Sequence, residues 1–144
     1  MGRVQERYVV LIKNTEMLVK DMSIDDFMES IKKGSKQFKE VAVEDYNFTL
    51  RDSILNDVEF ISSFVNFNFK NCSLRGAKFI DCNLKCISFD NCDLTGILIS
   101  ECAIESMEIK NCNLIEINFG TNYAYGNTLS GDRCFEIYKY NNAT

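Results

Sequence analysis

The sequence predicts a right-handed, quadrilateral parallel β-helix over residues 48–119, preceded by a small α/β cap. Three observations support this prediction. Large apolar residues recur at every fifth position, a second apolar column lies two positions earlier, and similar segments repeat after twenty residues. Neither the 3.6-residue period of an α-helix nor the alternation of an ordinary strand produces a period of five. The pattern therefore indicates one continuous coil.

Two apolar columns run without interruption through the repeat. The other three positions of each five-residue unit are mostly polar, so we predict that both columns face the interior of the coil. The first column is Phe69, Leu74, Phe79, Leu84, Phe89, Leu94, Ile99, Ile104, Ile109, Leu114 and Phe119. The second column is Phe67, Cys72, Ala77, Cys82, Ile87, Cys92, Ile97, Cys102, Met107, Cys112 and Ile117.

A period of twenty residues is superimposed on the period of five. It is clearest in the segments 71–74, 91–94 and 111–114, each of which reads Asn-Cys-X-Leu. Twenty residues are four units, so equivalent residues stack after four sides, at the roughly 4.8 Å spacing of paired strands. Gly76 and Gly96 are expected at corners with positive φ, and the column of Asn71, Asn91 and Asn111 tolerates such corners.

These repeats resemble the pentapeptide-repeat family, whose motif is A(D/N)LXX with the central Leu or Phe and the residue two before it facing inward. The segments 82–84, 92–94 and 112–114 match this motif closely, with cysteine in the small-residue position. The motif is broken at 97–99 and 102–104, where the usual Asp or Asn is apolar. We expect these departures to place Leu98 and Ala103 as an apolar outward pair on adjacent faces.

The first coil is expected to be irregular. Leu50, Leu55 and Phe60 keep the five-residue step, and Phe64 resumes it four residues later to join Phe69. With Phe48–Phe64 as this irregular coil, residues 48–119 form about three and a half coils, a rod roughly 17 Å long on the strand spacing.

Residues 1–47 are predicted to be an N-terminal cap of strand, helix and strand. Tyr8–Lys13 and Phe38–Val43 have the composition of strands. Ser23–Lys33 has the signals of a short helix: a serine N-cap, two acidic residues in the first turn, a stripe of apolar residues and a glycine after its end. Capping is expected because a solenoid end exposes unpaired backbone groups.

Residues 120–144 form a C-terminal cap or an association segment. Cys134–Tyr140 alternates in side-chain character over the length of a strand, with Phe135 and Ile137 expected against the coil. Two interpretations remain open for this aromatic segment. It forms a lid over the last coil of a monomer, or it forms the interface of an end-to-end homodimer.

The composition argues against catalysis, and we assign no catalytic, cofactor-binding or metal-binding residue. Histidine is absent, so Ser-His-Asp and Cys-His arrangements within one chain are excluded. No phosphate-binding glycine loop occurs, and no cofactor is expected. Five of the seven cysteines fall ten residues apart, which indicates the repeat and not a metal site. Cys86 lies outside the inward columns and is expected to face solvent, as an inert or a reactive thiol.

Charge and hydropathy limit the partners further. The net charge is −5 without a basic patch, so direct nucleic-acid binding is not expected. No segment approaches the roughly 20 apolar residues of a membrane helix. The apolar run at Tyr8–Ile12 is too short for a signal peptide, and we expect a cytoplasmic protein.

We therefore predict a non-catalytic binding or structural module that presents a β-ladder face to an unidentified protein partner. The family resemblance implies an alternative, because several pentapeptide-repeat proteins resemble a DNA duplex and modulate DNA gyrase, protecting it from quinolones. That role requires a long and strongly negative rod. Residues 67–119 carry seven acidic against five basic side chains, which favours the first interpretation.

Overall fold

The computed structural model describes residues 6–10 and 16–144. It contains thirteen strands and two helices in the described residues. The strands are β1 (Glu6–Val10), β2 (Glu16–Asp21), β3 (Gln37–Lys39), β4 (Val41–Arg51), β5 (Glu59–Ile61), β6 (Phe64–Lys70), β7 (Lys78–Ile80), β8 (Ser88–Asp90), β9 (Leu98–Ser100), β10 (Glu108–Lys110), β11 (Asn118–Phe119), β12 (Asn122–Ala124) and β13 (Asn127–Leu129). The helices are α1 (Ile24–Lys32) and α2 (Gly131–Tyr138).

Four walls enclose one core. Two opposite walls are sheets, in the orders β3-β5-β7-β9-β11 and β1-β2-β4-β6-β8-β10, and the strands that belong to the coil pair in parallel. The other two walls are rows of single parallel bridges. One row is Ile54, Ser73, Asp93, Asn113 and Ala143, and the other is Phe64, Asn83, Ala103 and Tyr123. The predicted four-sided parallel β-helix is confirmed.

The interior is built from the two predicted columns. All of their residues are buried except Ile117, which is partly exposed. Aromatic rings stack from coil to coil along this core, with ring centroids 5.1 Å apart for Phe60 and Phe79 and 5.0 Å apart for Phe69 and Phe89. Because each inward side chain contacts its equivalents one coil away, the core is continuous along the rod.

The corners of the coil adopt left-handed backbone conformations, as predicted. Gly76 and Gly96 both have φ of 68°, and Asn71, Asn91 and Asn111 have φ between 52° and 56°. Asparagine tolerates this region better than most residues because its short amide can bond locally. The Asn91 amide donates to the Asn71 side-chain oxygen at 2.6 Å, so part of the column also forms a hydrogen-bonded ladder.

The coil begins upstream of the boundary predicted at residue 48. Phe38–Val43 was expected to be one cap strand, but the chain turns a corner at Glu40, which has φ of 55°. On one side of that corner β3 pairs with β5, and on the other β4 pairs with β6. The sheet that contains β3 therefore has five rows, and the rod is about 24 Å long at the strand spacing.

The prediction that Phe64 resumes the repeat is wrong by one residue. Val65 is buried in register with Val43, whereas Phe64 is only partly buried. The five-residue step therefore continues from Phe60 to Val65, and the four-residue step comes between Val65 and Phe69. The irregularity itself lies mainly in β4, where the register with β6 shifts between Glu44 and Thr49.

Helix α1 closes the N-terminal end of the core. Ser23 is its N-cap, as predicted, and the serine hydroxyl accepts a hydrogen bond from the Asp26 amide at 3.0 Å. Phe27 is fully buried, with its ring centroid 4.9 Å from that of Phe38 and 5.4 Å from that of Phe67. The predicted strand Tyr8–Lys13 corresponds to β1 as far as Val10, and its remainder lies outside the described residues.

The C-terminal segment is a helix where a strand was predicted. Ser130 caps α2 by accepting a hydrogen bond from the Arg133 amide, which starts a helical turn. Cys134 and Tyr138, four residues apart, are therefore buried together, while Ile137 is 42% exposed. After α2 the chain returns to the coil, where Ala143 bridges to Asn113. Neither α1 nor α2 is long and apolar enough to span a bilayer, and no other helix is present in the part of the chain described.

Candidate functional site

The sheet β3-β5-β7-β9-β11, which we call the five-strand wall, carries partly accessible apolar side chains on its outward face. Its strands bury only their central residues, and the flanking residues point outward. Among these, Ile61, Ile80 and Leu98 are half-buried and lie on three successive coils. Ile61 and Ile80 stack in one outward column, and Leu98 lies diagonally to them in the column of Glu59 and Lys78.

Charged side chains share the outward face of this wall with the aliphatic residues, and several of them are paired with neighbours. Lys78 Nζ lies 3.8 Å from a carboxylate oxygen of Glu59. At the adjoining corner, the Ser62 hydroxyl donates to Asp81 at 3.0 Å, and the Tyr123 hydroxyl donates to Glu101 at 3.0 Å. The outward face of the wall therefore combines aliphatic side chains with charged side chains of both signs.

Leu98 and Ala103 lie on adjacent walls, as predicted from the broken motif. Their accessibility differs, because Leu98 is half-buried whereas Ala103 is only 6% exposed. Ala103 lies in the row between Asn83 and Tyr123, and its side chain is a single methyl group. Only Leu98 of this pair contributes accessible apolar surface.

The opposite wall, formed by β4, β6, β8 and β10 within the coil, is polar. Arg51, Lys70, Asp90 and Lys110 follow one another on its outer face. Asn68 on this wall accepts hydrogen bonds from the backbone and hydroxyl of Ser88. A face of charged side chains and hydrogen-bonded polar groups is typical of a solvated surface.

Buried cysteines form two columns inside the coil. The Cys82 amide donates to the Cys102 sulfur and the Cys92 amide to the Cys112 sulfur, each at 3.4 Å. The hydrogen bond between the Cys92 and Cys112 side chains raises the pKa of Cys92 to about 11 and lowers the pKa of Cys112. The thiols therefore satisfy backbone groups between coils as well as filling the small inward position.

All seven cysteines are free, and their exposure separates them into two classes. Cys86 is exposed at a left-handed corner with φ of 64°, as expected for a residue outside the inward columns. The other six are buried, including Cys134 on α2, whose pKa is raised by burial.

Thiol titration is expected to count one rapidly reacting cysteine in the native protein and seven after denaturation without reductant. The stacked cysteines are at strand spacing, but their Cβ vectors run side by side, so the disulfide dihedral of about 90° is not reached. Ellman's reagent measures both counts. A denatured count of five or fewer would contradict the assignment of free thiols.

A cleft lies at the C-terminal end, between the last coils, the β12–β13 turn and α2. It encloses about 310 Å³ and is lined mainly by apolar side chains, with Ile104 and Met107 from the coil and Ile137 from α2. Tyr125, at the turn, is 69% exposed and forms part of its rim. Sequence reasoning missed this cleft, although the Tyr125-Gly126 pair between two short strands was an available turn signal.

No candidate for catalysis or metal binding emerges from residues 6–10 and 16–144. In these residues no three His, Cys, Asp or Glu side chains come together so as to hold a metal ion. Asp93 is a hydrogen-bonded carboxylate on a wall: burial raises its pKa, but bonds from Thr95 and Arg75 outweigh burial and lower it. Such an acid stabilises the coil surface and is held in the charged form.

The four-sided coil of five-residue units defines a solenoid of the parallel β-helix class. Residues 53–96 match the family model described as pentapeptide repeats, in eight copies. This part of the chain therefore consists of pentapeptide repeats, as the motif indicated.

Comparisons with known proteins add two similar structures. No curated protein matches the chain significantly. QnrB1, a plasmid-mediated fluoroquinolone resistance protein, is 24% identical with a TM-score of 0.43, over 58% of this chain and 48% of that one. HetL, a pentapeptide repeat protein involved in heterocyst differentiation regulation from the cyanobacterium Nostoc sp. strain PCC 7120, is 15% identical with a TM-score of 0.37, over 70% of this chain and 44% of that one. The chain thus spans less than half the length of each structure.

Proposed function

We propose that the protein is a non-catalytic binding module whose five-strand wall docks a protein partner. The observation that supports this proposal is the position of Ile61, Ile80 and Leu98, three half-buried aliphatic side chains on successive coils of one parallel ladder. Protein interfaces combine apolar side chains with polar ones, and the outward face of this wall carries both.

Rigidity supports the same proposal. The outward side chains of the wall are carried by strands whose backbones are hydrogen-bonded on both sides within the coil stack. A partner that binds such a preorganised surface loses little free energy to ordering it. The opposite wall contains the register shift of β4, and Arg51, Lys70, Asp90 and Lys110 make its outer face charged.

Site-specific crosslinking tests this proposal. A photoreactive phenylalanine at position 80 is expected to crosslink one partner in cell extract, and the same residue at Glu108, exposed on the opposite wall, is not. The partner is then purified, and Leu98→Asp is expected to weaken its binding at least about tenfold. Equal crosslinking from both walls, or unchanged binding of the purified partner by Leu98→Asp, would contradict the proposal.

Modulation of DNA gyrase is the second candidate. The observation in its favour is the length of the coil stack, about 24 Å for five rows at the strand spacing, which exceeds the roughly 17 Å predicted. The mixed charges of the walls argue against it, because duplex mimicry requires closely spaced negative charge. A supercoiling assay with purified gyrase distinguishes the two candidate functions. Inhibition at low micromolar protein would favour gyrase modulation over docking of another partner on the five-strand wall.

A further inference from the structure

We propose that the C-terminal cleft binds a small, uncharged ring compound that carries one hydrogen-bonding group. This site is separate from the five-strand wall, so the proposal stands or falls independently of the proposed function. It rests on the size and lining of the cleft and on an unusual residue at its rim.

The size and lining of the cleft define the apolar part of the ligand. Its volume of about 310 Å³ falls at the lower end of the roughly 300–1,000 Å³ typical of small-molecule sites. Ile104, Met107, Leu129 and Ile137 supply aliphatic surface, and the ring of Tyr138 supplies an aromatic one. A fused or substituted ring fills such a space, whereas a helix or strand of a partner does not enter it.

The polar groups of the cleft define the rest of the ligand. The Ser106 and Tyr125 hydroxyls are hydrogen-bonded to each other at 2.6 Å, and the side-chain amide of Asn127, another lining residue, donates to the Tyr125 carbonyl at 3.4 Å. The Tyr138 hydroxyl already donates to the Met107 carbonyl at 3.0 Å. Among the residues that the structure describes, no acidic or basic side chain lines the cleft, so a charged ligand would lose hydration there without gaining a counter-charge.

Tyrosine is an unusual residue at position 125, which lies in a tight turn. It is the first residue of the two-residue turn between β12 and β13, and both it and Gly126 have positive φ, of 51° and 76°. Such turns prefer Asn-Gly or Asp-Gly, because most other side chains are strained in the left-handed region. Asparagine at position 125 would therefore adopt this turn with less backbone strain than tyrosine.

The contacts of the Tyr125 side chain explain why a tyrosine occupies this turn. It lines the cleft, bonds to Ser106 and remains 69% exposed, which is the position of a residue that closes over a ligand. Strained residues of this kind concentrate at binding sites, where the contact with the ligand offsets the strain. We infer that Tyr125 is a binding residue of the cleft.

Titration of the full chain with 2-naphthol and 2-naphthoate tests the proposal, because the two probes share a ring system and differ in charge. We expect 2-naphthol to bind saturably, with the binding monitored through the NMR signals of the Ser106 and Asn127 amides. The affinity for 2-naphthoate is expected to be at least about tenfold weaker. The Tyr125→Asn variant is expected to bind 2-naphthol at least about tenfold more weakly than the wild type. The melting temperature of the variant should equal or exceed that of the wild type. Tyr46→Asn, at an exposed tyrosine that does not line the cleft, is the matched control and should bind normally.

Three results would overturn the proposal. One is equal affinity for the neutral and the charged probe, and another is unchanged affinity in Tyr125→Asn. The third is a tryptophan-containing peptide that binds at the same amides at least about tenfold more tightly than 2-naphthol, which would make the cleft an anchor pocket for a protein side chain.

Discussion

Replacement of Leu94 by aspartate is expected to prevent folding. Leu94 is fully buried in the stack of inward leucines, between Leu74 and Leu114 of the neighbouring coils. A carboxylate there would be buried without a partner, at a cost of several kcal/mol, against a total stability of about 5–15 kcal/mol for a typical domain. Circular dichroism and thermal melts measure the effect, and the variant should show no cooperative transition.

The same substitution at Leu98 is the matched control. Leu98 is only four residues further along the chain, but its side chain points out of the five-strand wall and is half-buried. Leu98→Asp is therefore expected to change stability by no more than about 1 kcal/mol. If both variants were equally stable, or both failed to fold, the assignment of inside and outside to these two positions would be wrong.

The regular coils could be predicted in detail because one physical requirement fixes them. Each five-residue unit has to bury two side chains and turn one corner, so the sequence repeats its apolar columns and its corner residues. Asn71 and Gly76 show this at the corners, where both have the positive φ expected from their residue types. Long stretches of the fold therefore follow from the period alone.

The first coil was harder to predict because its irregularity is a matter of pairing between strands. Phe64 and Val65 are both apolar, so periodicity could not choose between them. The choice is made by β4, whose register shift between Glu44 and Thr49 aligns Val43 with Val65. The corner at Glu40 was missed for a related reason, since glutamate gives no signal for a left-handed conformation.

The tail and the cleft depend on contacts that a local pattern does not contain. Cys134–Tyr140 alternates as a strand does, but its residues also fit a helix whose buried pair is Cys134 and Tyr138. The N-cap serine at position 130 was the local signal that favoured the helix. The cleft is formed by parts of the coil, the turn and α2 that meet only after folding, so no segment of the sequence indicated it.

Two asparagines show how the tail completes the last coil. The Cys102 amide donates to the Asn122 side-chain oxygen at 2.9 Å, and the Cys112 amide donates to that of Asn142 at 2.8 Å. Asn142 also donates to the Ile109 carbonyl at 2.9 Å. Side-chain amides thus replace the sulfur acceptors that a further coil would provide at the end of each cysteine column.

Deletion of residues 121–144 is expected to turn a monomeric protein into aggregates. The deletion removes both asparagine caps and α2, and it uncovers Phe119, on which the Tyr138 ring stacks with centroids 5.7 Å apart. Exposed strand edges beside apolar surface favour pairing between chains. Light scattering measures the mass of both proteins. A dimeric full-length protein that becomes a well-behaved monomer on truncation would instead support the interface interpretation of the tail.

A pair of single substitutions separates the lid from the rest of the tail. Tyr138 is 8% exposed and its hydroxyl donates to the Met107 carbonyl, so Tyr138→Ala is expected to cost about 3 kcal/mol through the lost contacts and the cavity. Tyr140 is 65% exposed, so Tyr140→Ala should stay within about 0.5 kcal/mol of the wild type. Urea unfolding measures both. If the tail acted only as a surface for a second chain, Tyr140→Ala would lower the free energy of unfolding more than Tyr138→Ala does.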